Sequence, residues 1–195
     1  MFSDQIAHGD HPAREQHTPD SVQMILSRWA FRIGDRRLAA AGVAFIGYTA
    51  LMLLPERRMR ATGGPGIIPF ELAGSGAQAE RIMTRWGTDG QRAARVSLWL
   101  DFGYMATYGT FTALLVDHAR RHRGHPPVLP AAVIVAVAAD AAEGVSLLKV
   151  LKRADIAVHA RRAQVAALVK FAVLVLALTY VAADRAMRPS HHRRP

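Results

Sequence analysis

Four long apolar runs, separated by Arg-rich or Gly/Pro-rich segments, dominate the pattern of the chain. Each run is close to the ~20 residues that a helix needs to cross a hydrocarbon layer of ~30 Å. No alternation of apolar and polar positions indicates strands. The pattern therefore predicts four transmembrane helices, over residues 38–54, 93–116, 129–150 and 164–183.

Proline and glycine mark the limits of these runs. Pro55 is expected to end the first span, and Pro130 suits the first turn of the third. The long loop before the second span contains the Gly/Pro turn "TGGPGIIPFELAGSG". A short helix, "AQAERIMTRW", should follow, capped by Ser75 and broken by "GTDG".

The segment ahead of the first span is amphipathic and not apolar throughout. Residues 21–37 place Val22, Ile25 and Trp29 on one helical face and arginines on the other, which is typical of a helix lying on a membrane surface. The predicted fold is therefore an all-α integral membrane four-helix bundle with an N-terminal amphipathic helix and a short helix in the first loop. The predicted regions are a disordered polar tail at 1–20, the amphipathic helix at 21–37, the bundle at 38–185 and a basic tail at 186–195.

The net charge of +10 comes from basic residues that flank the apolar runs. This placement favours anchoring at the membrane interface and argues against nucleic acid as a partner. Each side of the predicted topology carries twelve Lys and Arg residues, so the positive-inside rule does not orient the chain. The absence of a signal peptide and the basic N-terminal helix favour cytoplasmic termini. The chain has no cysteine, which excludes disulfides, thiol nucleophiles and iron–sulfur clusters.

Two acids in the middle of the third span are costly in hydrocarbon. Asp140 and Glu143 cancel most of the insertion free energy that the Val, Ile and Leu residues of that span supply. They should therefore be neutral or face partners inside the bundle. Helix register places Asp140 at the midplane. It places the residues Tyr48, Asp101, Glu143 and Lys170 in one layer about a turn away.

The second span carries a polar stripe with steps of three and four residues, formed by Ser97, Asp101, Tyr104, Tyr108 and Thr112. Three acids against one lysine leave at least one carboxyl protonated, and Asp140 is expected to be that one because it lies deepest. The polar layer has three interpretations. It could fix helix register, it could bind a ligand, proton or ion, or it could be a catalytic acid/base centre.

The remaining motifs are weak. His118 and His122 have the i, i+4 spacing of a metal-binding pair, but histidines at a helix end more often act as interfacial cations. We therefore expect no metal site and no cofactor. Trp29, Trp86 and Trp99 are interpreted as interfacial anchors.

The stretch "FELAGSGAQAERIMTRWGTDGQRAARVSLWLDFGYMATY", together with "DAAEGVSLL", resembles a family of uncharacterised bacterial four-span membrane proteins. Its motifs are a Phe-Glu-Leu-Ala-Gly loop, Leu-Asp-Phe in the second span and Asp-x-x-Glu in the third. The resemblance covers roughly residues 70–151 and draws attention to Glu71 beside the three intramembrane acids. Many members have Asn after the Glu, where this chain has Gly144. It implies a location in the bacterial cytoplasmic (inner) membrane and carries no activity.

The sequence thus favours a non-enzymatic protein that binds or assembles around a buried acidic layer. The expected partners are the lipid bilayer and either a small hydrophobic ligand or another membrane protein. The alternative is a membrane enzyme or proton-coupled carrier that acts on a lipid-like or small hydrophobic molecule through Glu143 and Asp101.

Overall fold

The computed structural model describes residues 19–187, with side chains from Arg36 onward, and this part of the chain contains only helices and their connections. Residues 1–18 of the predicted tail and residues 188–195 of the basic tail lie outside the described residues. The side chains of the predicted amphipathic helix lie outside them up to residue 35. The chain divides at Asp35, and the helical unit considered below begins at Arg36. The helices are α1 (Pro19–Ala61), α2 (Ile67–Glu71), α3 (Gly76–Arg123), α4 (Ala132–Leu151) and α5 (Ile156–Ala186), with a 3₁₀ turn at Leu129–Ala131 ahead of α4.

Among the described residues, three helices are long and apolar enough to cross a membrane: Arg36–Ala61, Leu129–Leu151 and Ile156–Ala186. They contain the first, third and fourth predicted spans. The second predicted span lies inside α3, which does not meet this criterion. Its Tyr, Thr and Gly residues and Asp101 make it less apolar than the other three.

Pro55 follows the first apolar run, but the helix does not stop there, because α1 continues to Ala61. Proline removes one backbone donor, but contacts beyond it stabilise the extra turn. Met59 is fully buried in the core, and the Glu56 carboxylate forms an ion pair with Arg60. The Thr62 hydroxyl donates to the Met59 carbonyl at 2.7 Å.

Helix α3 joins the predicted short helix to the predicted second span. Ser75 caps its N-terminus, since the Ser75 Oγ accepts from the Gln78 N–H at 3.2 Å. The predicted break appears as a kink at Gly87, whose φ of 58° is in the left-handed region that favours glycine. The part before the kink folds back against the other helices instead of ending in solvent.

That packing contradicts the interpretation of Trp86 as an interfacial anchor. Trp86 is 1% exposed, its ring centroid lies 4.9 Å from that of Phe70, and its Nε1 donates to the Pro65 carbonyl. It belongs to an apolar core at the end of the molecule near α2, together with Met59, Met83, Leu147 and Val150. Trp99 is 63% exposed, in keeping with an interfacial position.

A second, smaller apolar cluster lies toward the other end of α3 and α5, around Val116, Ala119 and Val181. Close to it, Arg123 Nε lies 3.5 Å from Asp184 Oδ1, which joins the ends of the two helices. On α3, α4 and α5 the polar residues of interest fall between the two apolar clusters. Small buried residues on α4 and α5, including Ala136, Ala163 and Ala167, allow these helices to approach closely.

Candidate functional site

Lys170 of α5 lies at the centre of a buried group of carboxyls. Its Nζ is 2.8 Å from Asp140 Oδ1, 2.8 Å from Glu143 Oε2 and 3.6 Å from Glu71 Oε2. All four side chains are buried. A buried charge is costly unless it is paired, and here one ammonium meets carboxyls from both α2 and α4. We call Glu71, Asp101, Asp140, Glu143 and Lys170 the acid–lysine cluster.

Asp140 and Glu143 are three residues apart and so share one face of α4, directed at α5. The contact between Lys170 and Glu143 that depth predicts is present. Lys170 also reaches Asp140, outside the layer in which helix register places it, through a hydrogen bond from its Nζ. The two acids are offset by about 4.5 Å along the helix, a distance that one long flexible side chain bridges.

Asp140 has strong donors on both carboxylate oxygens. Lys170 donates to Oδ1, and the buried Tyr108 hydroxyl of α3 donates to Oδ2 at 2.8 Å. Two such donors stabilise the ionised form of a carboxyl. Asp140 therefore has a donor on each carboxylate oxygen, and the prediction that it carries the proton stays a prediction.

The other two acids lie close to these carboxyls. The half-buried Asp101 of α3 lies near Asp140, and Glu71 lies near Glu143. A protonated carboxyl can donate to a neighbouring carboxylate, and the Lys170 ammonium also contacts both Glu71 and Glu143. The cluster therefore brings four carboxyls to one ammonium.

Glu71 reaches the cluster because α2 is held at both ends. The Glu56 carboxylate accepts from the Ile67 N–H at 2.9 Å, and Gln164 Nε2 of α5 donates to the Leu72 carbonyl at 3.2 Å. Phe70, next to Glu71, is buried against the apolar core. Burial raises the pKa of the Glu71 carboxyl above its ordinary value, and the nearby Lys170 ammonium opposes that shift.

Helix register does not place Glu71 in the cluster, since it lies in a loop whose path the periodicity of the spans does not fix. One sequence signal for Glu71 is the Phe-Glu-Leu-Ala-Gly loop motif that carries the resemblance. A second is its setting, an acid among the apolar residues of "GIIPFELAG". An acid flanked in this way is either exposed by the turn or buried with a partner.

Two predicted site tyrosines make different contacts. Tyr48, which helix register places in the polar layer, donates its hydroxyl to the Leu100 carbonyl at 2.8 Å. Tyr104 Oη lies 3.2 Å from Thr49 Oγ1. These contacts, with the tilted Tyr48 and Tyr104 rings 5.9 Å apart, join α1 to α3. Of the predicted tyrosines, Tyr108 is the one that hydrogen bonds to a cluster carboxyl.

The histidine pair at the end of α3 adopts the geometry that its spacing predicts. His118 Nε2 and His122 Nε2 lie 3.2 Å apart. Within the described part of the chain, no group of three or more His, Cys, Asp or Glu side chains is placed to hold a metal ion. The nearby Asp117 carboxylate forms ion pairs with Arg120 and Arg121.

The residues that carry the family resemblance occupy one region of the fold. Glu71 of the Phe-Glu-Leu-Ala-Gly loop, Asp101 of Leu-Asp-Phe and both acids of Asp-x-x-Glu belong to the acid–lysine cluster. Gly144 lies beside Phe102, and a Cβ at this position would be in ordinary van der Waals contact with the Phe102 ring, at 3.7 Å. No family model, curated protein or solved structure matches this chain, so its function has to be argued from these residues.

Proposed function

We propose that the protein is a four-span helical protein of the bacterial cytoplasmic membrane, with cytoplasmic termini and a non-catalytic role in binding or assembly. Three apolar helices of spanning length support the membrane location. A fourth span through α3 is supported by its packing on α4 and α5 and by its Asp101, which shares the buried cluster. Four spans place both termini on one side.

The observation that carries the non-catalytic role is the closed character of the acid–lysine cluster. Asp140 is 2% exposed and Glu143 is 1% exposed, and Lys170 lies against both. A general acid or base has to come within hydrogen-bonding distance of a substrate, and these groups are instead occupied with one another. The cluster fixes α2, α4 and α5 in register and produces a rigid scaffold for a lipid, a small hydrophobic ligand or a protein partner.

One observation favours a second candidate, a proton-coupled carrier or membrane enzyme acting on a lipid-like molecule. The cluster contains more carboxyls than its ammonium neutralises, and Asp101 is less buried than the others. A proton could enter at Asp101 and reach Glu143 through the contacts among Asp140, Lys170 and Glu143.

Proton movement in proteoliposomes separates the two proposals. The closed scaffold predicts that vesicles containing the protein and a trapped pH dye equilibrate an imposed pH gradient no faster than empty vesicles. A faster flux that Glu143→Gln abolishes would favour the carrier. Glu80→Gln is the matched control, because Glu80 is an exposed glutamate that pairs with Arg153 outside the cluster.

A further inference from the structure

An open apolar groove of about 520 Å³ lies on the surface of the bundle along α5, at its contact with α4. Its volume falls in the range of roughly 300–1,000 Å³ that ligand sites occupy. α4 contributes Ala139, and α5 contributes a stripe that includes Val158, Arg161, Arg162, Val165 and Val169.

The groove is cationic at one end and apolar along the rest. Arg161 and Arg162 lie in the second turn of α5, and Val169 lies about 10 Å further along the helix. Both arginines are exposed, and neither forms an ion pair with another residue in the described part of the chain. Val165 and Val169 are 55% and 40% exposed.

The position of the groove determines what can fill it. α5 is one of the helices with the length and composition of a membrane span, so a groove on its outer face meets lipid. The arginines near its beginning would lie at headgroup depth, where guanidinium groups bind phosphate oxygens through paired hydrogen bonds. Two adjacent guanidinium groups therefore suit an anionic headgroup in either leaflet.

We propose that the groove binds an anionic glycerophospholipid. Its headgroup phosphate contacts Arg161 and Arg162, and one acyl chain lies along Val165 and Val169. This inference rests on the part of the proposed function that places α4 and α5 in a membrane, and it names the class of lipid and the residues that bind it.

The bound lipid would lie behind the acid–lysine cluster. Ala139 and Val169 are the sequence neighbours of Asp140 and Lys170, so the groove follows the outer side of the helix pair whose inner side carries the ion pair. A lipid that touches both helices would hold them together from outside while the ion pair holds them from inside.

Native mass spectrometry of the full chain in detergent can count bound lipids. The probes are dioleoylphosphatidylglycerol and dioleoylphosphatidylcholine, which have the same acyl chains but differ in net charge. We expect phosphatidylglycerol to bind more tightly, and Arg161→Gln with Arg162→Gln to weaken its binding roughly ten- to thirtyfold. The matched control is Arg57→Gln with Arg58→Gln, an equal loss of charge at two exposed arginines of α1.

A second variant tests the apolar part of the groove. It also provides an independent test in case the double arginine variant does not fold. Val165→Trp keeps the charge and fills the groove, so it should also reduce phosphatidylglycerol binding while the thermal transition stays unchanged. The proposal is overturned if both lipids bind equally, if the control pair weakens binding as much as the groove pair, or if Val165→Trp has no effect. The proposal is also overturned if inorganic phosphate displaces bound phosphatidylglycerol as strongly as added phosphatidylglycerol does.

Discussion

We expect Asp101 and Asp140 to take opposite protonation states in the acid–lysine cluster. Asp140 accepts from Lys170 and Tyr108, two donors that favour an anion. Asp101 is on the partly exposed side and lies near the Asp140 carboxyl, to which it can donate when it carries a proton. The difference arises from the partners that each helix supplies, because depth alone would place the proton on the deeper Asp140.

Asparagine substitutions test this assignment. Asp101→Asn imitates a protonated acid and should change the free energy of unfolding by less than about 1 kcal/mol. Asp140→Asn removes a charge that faces an ammonium and should cost about 1.5–3 kcal/mol. Denaturation of both variants in the same detergent measures the difference, and equal costs would contradict the assignment. Infrared spectroscopy should show a protonated-carboxyl band that Asp101→Asn diminishes and Asp140→Asn retains.

The sequence predicts part of this cluster through helix register. The depth argument pairs Lys170 with Glu143 correctly, because both lie on long helices whose rise per residue is fixed. Register alone does not pair Lys170 with Asp140, which the long lysine side chain reaches from the neighbouring layer. It also omits Glu71, whose position depends on contacts of α2 with Glu56 and Gln164 that no periodicity reveals.

At the scale of elements, α2 is the helix that depends most on hydrogen bonds and contacts from other helices. It has five residues and no side-chain cap of its own, so its backbone relies on Glu56 and Gln164. Phe70 and Glu71 insert into the apolar core and the acid–lysine cluster, respectively. The docking of α2 is therefore linked to the protonation of Glu71.

The docking of α2 should depend on pH. Because burial raises the pKa of docked Glu71, the docked state binds the proton more tightly than an undocked one. Docking is thus strongest below the ordinary glutamate pKa and weakens as pH rises through the raised value. Hydrogen exchange of the α2 amides, corrected for intrinsic rates, should show less protection with rising pH. Glu71→Gln should remove that dependence, and Glu80→Gln should leave it; an unchanged slope in Glu71→Gln would contradict the linkage.

The two parts of α3 pack across its kink through a close approach at Gly90. A Cβ at this position would lie 2.6 Å from Trp86 Cβ and 2.9 Å from Thr62 Oγ1, both in packed surroundings. Gly90→Ala should therefore destabilise the protein by about 1–3 kcal/mol. Gly47→Ala is the control, since nothing lies within 4 Å of its Cβ position. Thermal denaturation compares the two, and a Gly90→Ala transition equal to that of the control would refute the packing argument.

Some helix starts and kinks can be predicted from the residue type at that position alone, and others cannot. Ser75 and Gly87 act as their residue types predict, because capping and a left-handed φ are local properties. Pro55 does not end α1, because the burial of Met59 stabilises the turn beyond it. Trp86 is placed in the core by the fold of α3 onto α2, which its own sequence neighbourhood does not specify.

At the scale of the whole molecule, the proposed bundle has a polar layer between two apolar clusters. The larger cluster lies beside α2 and the smaller one near the ends of α3 and α5. Four spans would place the α1–α3 connection and the α4–α5 turn on one side of the membrane. They would place the α3–α4 connection on the other.

Cysteine accessibility tests that topology directly, since the chain has no cysteine of its own. Arg58→Cys and Arg121→Cys, both at exposed positions, should react with an impermeant maleimide from opposite sides of the membrane. Labelling of both from the same side would exclude a span through α3. The cysteine-free protein is the control for background labelling.

The most direct test of the account is a double-mutant cycle on Lys170 and Glu143, measured as the free energy of unfolding in lipid nanodiscs. Lys170→Met leaves buried carboxyls without their cation and should cost about 3–5 kcal/mol, whereas Lys149→Met at an exposed lysine should cost little. We expect that adding Glu143→Gln to Lys170→Met restores part of the lost stability, because Glu143→Gln removes one of the carboxyls left without a cation. If the two substitutions instead destabilise additively, Lys170 does not stabilise these carboxyls and the acid–lysine cluster is not what holds the helices together.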